Sequence, residues 1–226
     1  MPRTVWYPGH MAKGKRKLEE LVQKLDLILE VRDARAPHLT SSPMSDQLSR
    51  ICPVYIVLSR ADLAEEGATK AWLQFFSSIK QKAWAFNFLE GRIQLLRRDL
   101  AKLRPAHREL RLAVVGIPNV GKSLFLNLLV GKKRAPVGGV PGITRGVSWY
   151  KGQDILAVDS PGILDPRSHN EVHRRLAWLG CSKAEVIGGT DVVALSLIEH
   201  LKERGHWHLV EKKWNIENVE EEPLVT

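Results

Sequence analysis

The octapeptide Gly116-Ile117-Pro118-Asn119-Val120-Gly121-Lys122-Ser123 matches GxxxxGK[ST] and limits the possible folds more than any other stretch of the chain. Before it runs Leu112-Ala113-Val114-Val115, a short apolar run of β-formers; after it, residues 124–130 read as an apolar helix closed by Gly131. A strand therefore delivers the loop onto a helix N-terminus, where successive backbone N–H groups and the positive end of the helix dipole attract phosphate oxygens. Lys122 is expected to neutralise the terminal phosphates and the Ser123 hydroxyl to ligate magnesium, with Pro118, Asn119, Val120, Gly121 and Leu124 completing the lining. A Gly-rich turn matching by chance is rare at ordinary residue usage, and it would not come with a strand and a helix in register.

Two further stretches lie where phosphate chemistry needs them. Asp159-Ser160-Pro161-Gly162 closes the apolar run 155–158 and matches DxxG, in which the Asp belongs to the magnesium shell and the Gly N–H meets the γ-phosphate. Between loop and run, Pro141-Gly142-Ile143-Thr144 offers a hydroxyl suited to closing over magnesium when a γ-phosphate is present. Either alone is an ordinary turn; their order after the loop gives them weight.

Upstream, the run 54–58 ends in Ser59-Arg60-Ala61-Asp62, where a guanine reader would have the pattern NKxD. Asp62 keeps the carboxylate that accepts from the guanine ring N–H and amine, the Arg60 stem can cover the base face, and Ser59 lacks the amide that usually ties such a site together. The next run ends in Phe86-Asn87-Phe88, with Asn87 near the base and Phe88 where a small residue is usual. The competing reading of Ser59 to Asp62 is a strand-to-helix turn with an N-cap.

The 226 residues are 44% hydrophobic, enough for a sizeable core in one large domain or one domain with an appendage. A formal charge of +9 favours polyanionic partners, nucleic acid above all, though a merely basic solvated surface gives the same number. The two cysteines, Cys52 and Cys181, lack metal-ligand spacing and read as buried thiols in a reducing compartment. The first 17 residues lack the apolar core of a signal peptide and no run is long enough to span a bilayer, so a cytoplasmic location is expected.

Along the chain, residues 11–24 read as an amphipathic helix with Leu18, Leu21, Val22 and Leu25 on its apolar side. Runs at 27–31, 54–58 and 83–88 alternate with helical stretches at 45–50, 68–79 and 93–103, and a hairpin through Gly152 joins 147–150 to 155–158. The alternation predicts a mostly parallel α/β sheet with helices on both faces. From about residue 165 the chain reads helical and charged.

With guanine reader first, then phosphate loop, then DSPG, the chain resembles the circularly permuted GTPases of the RbgA/YlqF type. The local matches are Trp6 to Lys13, Val31-Arg32-Asp33-Ala34-Arg35-Ala36-Pro37, Gly116 to Ser123, Pro141 to Thr144 and Asp159 to Ile163. The resemblance implies a Ras-like P-loop GTPase domain at 1–165, with a guanine-reading half 1–103, a connector 104–111 joining the original termini and a phosphate-binding half 112–165. A small helical domain at 166–226 that contacts RNA follows. It further implies a GTP-hydrolysing switch, slow unless activated, that acts in assembly of the large ribosomal subunit through nucleotide-dependent binding to its RNA. Ile163 occupies the place where many GTPases hold a water-orienting Gln; the resemblance suggests His10 for that task, and a potassium-coordinating role for Asn119. A surface or structural histidine is the other reading of His10. Two other functions remain open: a nucleotide-dependent RNA-binding scaffold with little turnover, and an ATP-using P-loop enzyme.

Overall fold

The computed structural model describes residues 16, 18–131, 136–137, 149–160, 162, 164 and 169–216, the strand at 136–137 as backbone only. The chain divides after Arg167 into two compact units.

The first unit is built on seven strands: β1 (Leu27–Asp33), β2 (Val54–Ser59), β3 (Ala83–Ala85), β4 (Leu110–Val115), β5 (Pro136–Val137), β6 (Trp149–Lys151) and β7 (Ile155–Asp159). They form one sheet in the order β3-β2-β1-β4-β7-β6-β5. Neighbours from β3 through β7 pair parallel, while β6 runs antiparallel to both β7 and β5. The expected mostly parallel sheet is thus observed, with the phosphate-loop strand β4 at its centre. Within it β4 starts at Leu110, ahead of the apolar run 112–115, because the Asp26 carboxylate accepts from Arg111 N at 2.8 Å while Leu110 N reaches Asp154 O at 2.9 Å. The strand at 83–88 is shorter than its apolar run: Phe86 N still bonds Leu58 O, but the chain then turns away.

Helices α1 (Pro43–Leu48), α2 (Glu66–Ser78), α3 (Gln94–Ala101) and α4 (Lys122–Val130) complete the unit. On one face, Ile28, Ala113, Val115, Leu156 and Val158 pack with Leu18, Leu21, Val22, Leu25, Met44 and Leu48, so the periodicity of residues 11–24 marks a buried stripe. Residues 18–21 are helical and pass into a 3₁₀ turn, Val22–Lys24. On the same face Ile56 and Leu58 meet Phe76 of α2. Leu29, Val31, Leu112, Val114 and Ala157 alternate to the opposite face and are fully buried too, which fits the cover supplied by Leu96 and Leu100 of α3 and by Phe125, Leu126 and Leu129 of α4. One charged pair interrupts the apolar face: Glu30, fully buried, takes a 2.7 Å bond from Arg32 and another from Ser42 N, pinning the segment that follows β1.

The second unit holds α5 (Asn170–Trp178), a 3₁₀ turn Ala184–Ile187, α6 (Thr190–Glu203) and α7 (Trp207–Trp214). Its small interior gathers His173, Leu176 and Cys181, and Trp178 Nε1 donates to Ser196 Oγ at 3.0 Å while its ring lies 4.9 Å from the His200 ring. Leu209 and Trp214 of α7 stay more than half exposed.

Candidate nucleotide site

In a parallel sheet the carboxyl ends of the strands share one edge, and loops leaving that edge converge on ligands. Here β2, β1, β4 and β7 end respectively in Ser59, Asp33, Val115 and Asp159, so the Ser59-to-Asp62 turn, the phosphate loop and the DSPG segment leave the same edge. The register sets Ser59 opposite Asp33 and Asp159 opposite Val114.

The loop from Gly116 to Ser123 needs glycine at two points. Gly116 adopts φ +147°, and a Cβ there would sit 2.5 Å from the Val31 carbonyl oxygen. Gly121, at φ +100°, begins α4 and lies against the Phe88 ring. Asn119 also takes a left-handed conformation, φ 59°, a strain that clusters where backbone N–H groups must point at a ligand. Lys122 is buried, its Nζ donating to Ile117 O at 2.7 Å, so the side chain folds back over the loop.

Gly162 of the DSPG segment lies against this loop: a Cβ would come within 2.7 Å of Pro118 N and Cα and 2.9 Å of Lys122 Nζ. Ser123, in the first turn of α4, and Asp159, at the end of β7, offer a hydroxyl and a carboxylate, the hard oxygen donors magnesium takes. No group of three or more His, Cys, Asp or Glu side chains fit to hold a metal occurs among the described residues, so a magnesium ion here would need phosphate and water to complete its shell. His10, Thr144 and Ile163 lie outside the described residues.

The turn from Ser59 to Asp62 is fastened to the loop by its own side chains. Ser59 Oγ is 2.7 Å from Val120 O and 3.1 Å from Arg32 O; with a single proton to donate, the shorter contact, at the usual distance for a hydroxyl donor, is assigned the bond. The tie usually made by an asparagine amide is therefore made by a hydroxyl. Arg60, left-handed at φ 54°, donates from one end of its guanidinium to Asp33 at 2.6 Å and from the other to Asn119 O at 2.7 Å. Asp62 sits in the 3₁₀ turn Ala61–Leu63 and is exposed. Asn87 is half-buried; its Oδ1 accepts from Leu89 N at 2.9 Å and its amide donates to Glu90. Phe88 turns inward, 5% exposed, and stacks on Phe125 at 5.1 Å, so its size is absorbed beneath the loop.

Asp33 is the site residue that motif matching leaves without a task. It is fully buried, and burial pushes its carboxyl up, but hydrogen bonds from Arg35 side chain and backbone and from Arg60 outweigh this and hold it below the usual range. The signal available in the sequence is its place at the end of the apolar run 27–31, inside the segment Val31 to Pro37; its position opposite Ser59 comes from the fold.

A strand–loop–helix phosphate cradle at the carboxyl edge of a mostly parallel sheet, with DxxG packed against it, defines a P-loop GTPase. Residues 111–220 match the family model described as 50S ribosome-binding GTPase. Ribosome biogenesis GTPase A of Bacillus licheniformis is 34% identical over 96% of this chain and 81% of its own. That of Thermotoga maritima is 38% identical over 70% of this chain and 58% of its own. The chain belongs to the ribosome biogenesis GTPase A (RbgA/YlqF) family. Crystal structures of YlqF from T. maritima agree: the GNP-bound form has a TM-score of 0.62 at 27% identity, covering 92% of this chain and 78% of that one. The GDP-bound form has a TM-score of 0.63 at 28% identity, covering 84% and 77%. A mitochondrial ribosome-associated GTPase of Mus musculus is 31% identical over 81% of this chain and 62% of its own. Among the described residues no helix is long and apolar enough to cross a membrane.

Proposed function

We propose that this GTPase is a nucleotide-controlled switch in assembly of the large ribosomal subunit, whose GTP form docks on ribosomal RNA. The observation that carries the reading is the seat of Gly162: its backbone lies against Pro118 and Lys122, where a γ-phosphate would be met, and the chain enters the second unit shortly afterwards, at Ser168. A γ-phosphate-dependent displacement of this segment would pass into the helical unit through the chain itself.

In this reading residues 1–165 form a circularly permuted GTPase domain and 166–226 the RNA-contacting part. Lys122 neutralises the β- and γ-phosphates, and loop backbone N–H groups from Asn119 to Leu124 hold them. Asp62 accepts from the guanine edge while Ser59, Arg60 and Asn87 shape its surroundings. Ser123, Asp159 and Thr144 would hold magnesium, which supplies charge neutralisation between phosphates when bound. Asn119 would help hold a potassium ion. With Ile163 apolar, His10 orients the attacking water, and turnover stays slow until the ribosomal particle places that segment. The cytoplasm is where such a particle is met.

The basic residues around the connector divide into two sets. Arg108 grips Asp26 through two bonds, Arg104 pairs with Asp154 and Lys102 with Asp99, so these fasten the fold. Arg97 donates to Leu128 O, and Arg174 and Arg175 share Glu171 in α5. Arg16, Arg98 and Arg111 are the phosphate candidates among the described residues, and Lys13, Lys15 and Lys17, which lie outside them, belong to the same basic set. Cosedimentation with large subunits tests the reading: binding should be tighter with a non-hydrolysable GTP analogue than with GDP and fall steeply with salt. Binding indifferent to nucleotide would leave a basic RNA-binding protein with an unconnected GTP site. Multiple-turnover hydrolysis measured with and without the particle separates a switch from a scaffold that scarcely turns over.

A further inference from the structure

We infer that Asp33 is a positioning residue for guanine-nucleotide recognition, acting through Arg60; the inference rests on the reading of Ser59 to Asp62 as the guanine reader. The Asp33 carboxylate touches neither the loop nor Asp62 in any hydrogen bond described above, yet it determines where the Arg60 guanidinium lies. Its Oδ1 accepts from Arg35 N and Nε, both at 3.0 Å, and its Oδ2 from Arg35 Nη2 at 2.8 Å and Arg60 Nη1 at 2.6 Å. Arg35 thus holds the carboxylate in one orientation, and the fully buried carboxylate holds Arg60.

The guanidinium is a planar fork with fixed spacing between its nitrogens, so anchoring one end aims the other. The other end reaches the Asn119 carbonyl at 2.7 Å. Both residues joined in this way have left-handed backbones, Arg60 at φ 54° and Asn119 at φ 59°, a conformation that costs non-glycine residues energy unless their surroundings hold it. The fork therefore joins the turn that leads to Asp62 with the loop that leads to Lys122. Without Asp33 the Arg60 head, about a third exposed, has water as an alternative partner, and one of the side-chain ties described between base reader and phosphate loop is weakened. The second tie, Ser59 to Val120, remains. The expected loss is accordingly partial and falls on discrimination as well as affinity.

A competing role for Asp33 is purely structural, since its carboxylate also accepts from Arg35 N at 3.0 Å and so holds the turn that follows β1. A double-mutant cycle separates the two. Calorimetric titration of GDP, of IDP lacking the exocyclic amine, and of ADP is made on the full chain and on Asp33→Asn, Arg60→Ala and the double variant, with melting temperatures alongside. Asp33→Asn should weaken GDP binding about tenfold and lower the GDP-to-IDP ratio, Arg60→Ala should do the same, and the double variant should be no worse than Arg60→Ala. Losses that multiply in the double variant, or a lowered melting temperature with unchanged GDP affinity, would overturn the inference. Arg60→Gln, which leaves Asp33 paired with Arg35, serves where Asp33→Asn does not fold; unchanged GDP affinity and unchanged GDP-to-IDP ratio in it would overturn the inference as well. Equal binding of GDP and ADP by the unmodified protein is a different result: it removes the guanine reader itself, and the inference with it.

Discussion

Ser59 and Val120, 61 positions apart in the chain, meet through a 2.7 Å hydrogen bond from the Ser59 hydroxyl to the Val120 carbonyl. The end of β2 is thereby fastened to the phosphate loop at a buried point, and the fastening replaces an asparagine amide with a shorter side chain.

Ser59→Ala removes the donor and leaves a buried carbonyl without it, which costs about 1–3 kcal/mol. GDP affinity and melting temperature should both fall, and calorimetry with thermal melts would divide the cost between them. A variant with native affinity and native melting temperature would mean that the carbonyl finds another donor.

Gly162→Ala places a Cβ 2.7 Å from backbone atoms of Pro118, which cannot yield as a flexible side chain would. Because the Gly162 N–H is assigned to the γ-phosphate, the variant should lose affinity for a non-hydrolysable GTP analogue by about tenfold or more while binding GDP nearly as before, a contrast of about 1.4 kcal/mol. Gly116→Ala, 2.5 Å from the Val31 carbonyl oxygen at φ +147°, should instead destabilise the whole unit by about 2 kcal/mol or more, visible in urea unfolding.

The pH dependence of stability has two arms. Burial pushes Asp26 up, but the Arg108 fork, the Arg111 N–H and their charges pull its folded value below the ordinary 3.8. The unfolded chain then takes up the proton first, so this contribution is present above pH 4 or so and is lost as pH falls through the folded value. Asp26→Asn should flatten the acid limb of a melting-temperature profile. On the alkaline side, burial and the nearby Asp26 charge push the Cys52 thiol up to about 11 from an ordinary 9.0. Unfolding then releases a proton above pH 9, so stability falls between about 9 and 11, and the native thiol should resist alkylation at pH 8 where the unfolded one reacts.

Much of this arrangement was legible in the sequence because the phosphate loop specifies its own context: Val115, Gly116 and Lys122 must be strand end, tight turn and helix start for the motif to work. The apolar runs gave the parallel strands, and the stripe through Leu18, Leu21, Val22 and Leu25 gave a buried face. What could not be read were relations between distant segments. The sequence offers the Arg60 stem as cover for a base but does not show that its head is held by Asp33 and Asn119, a geometry set by the β1–β2 register. Phe88 stands in the sequence where a small residue is usual, and only its stacking on Phe125 shows the ring lying beneath Gly121. Nor does the sequence show which basic side chains are paired: Arg108 meets Asp26 and Arg104 meets Asp154, partners far from them in the chain.

The most direct test of the account is calorimetric titration of the unmodified protein and of Asp62→Ala with GDP and ADP. A carboxylate accepting from guanine contributes on the order of 1.5–3 kcal/mol per contact, so the unmodified protein should prefer GDP by at least about tenfold and Asp62→Ala should lose most of that preference while still binding through the phosphates. Equal affinity of the unmodified protein for GDP and ADP, or a preference untouched in Asp62→Ala, would contradict it.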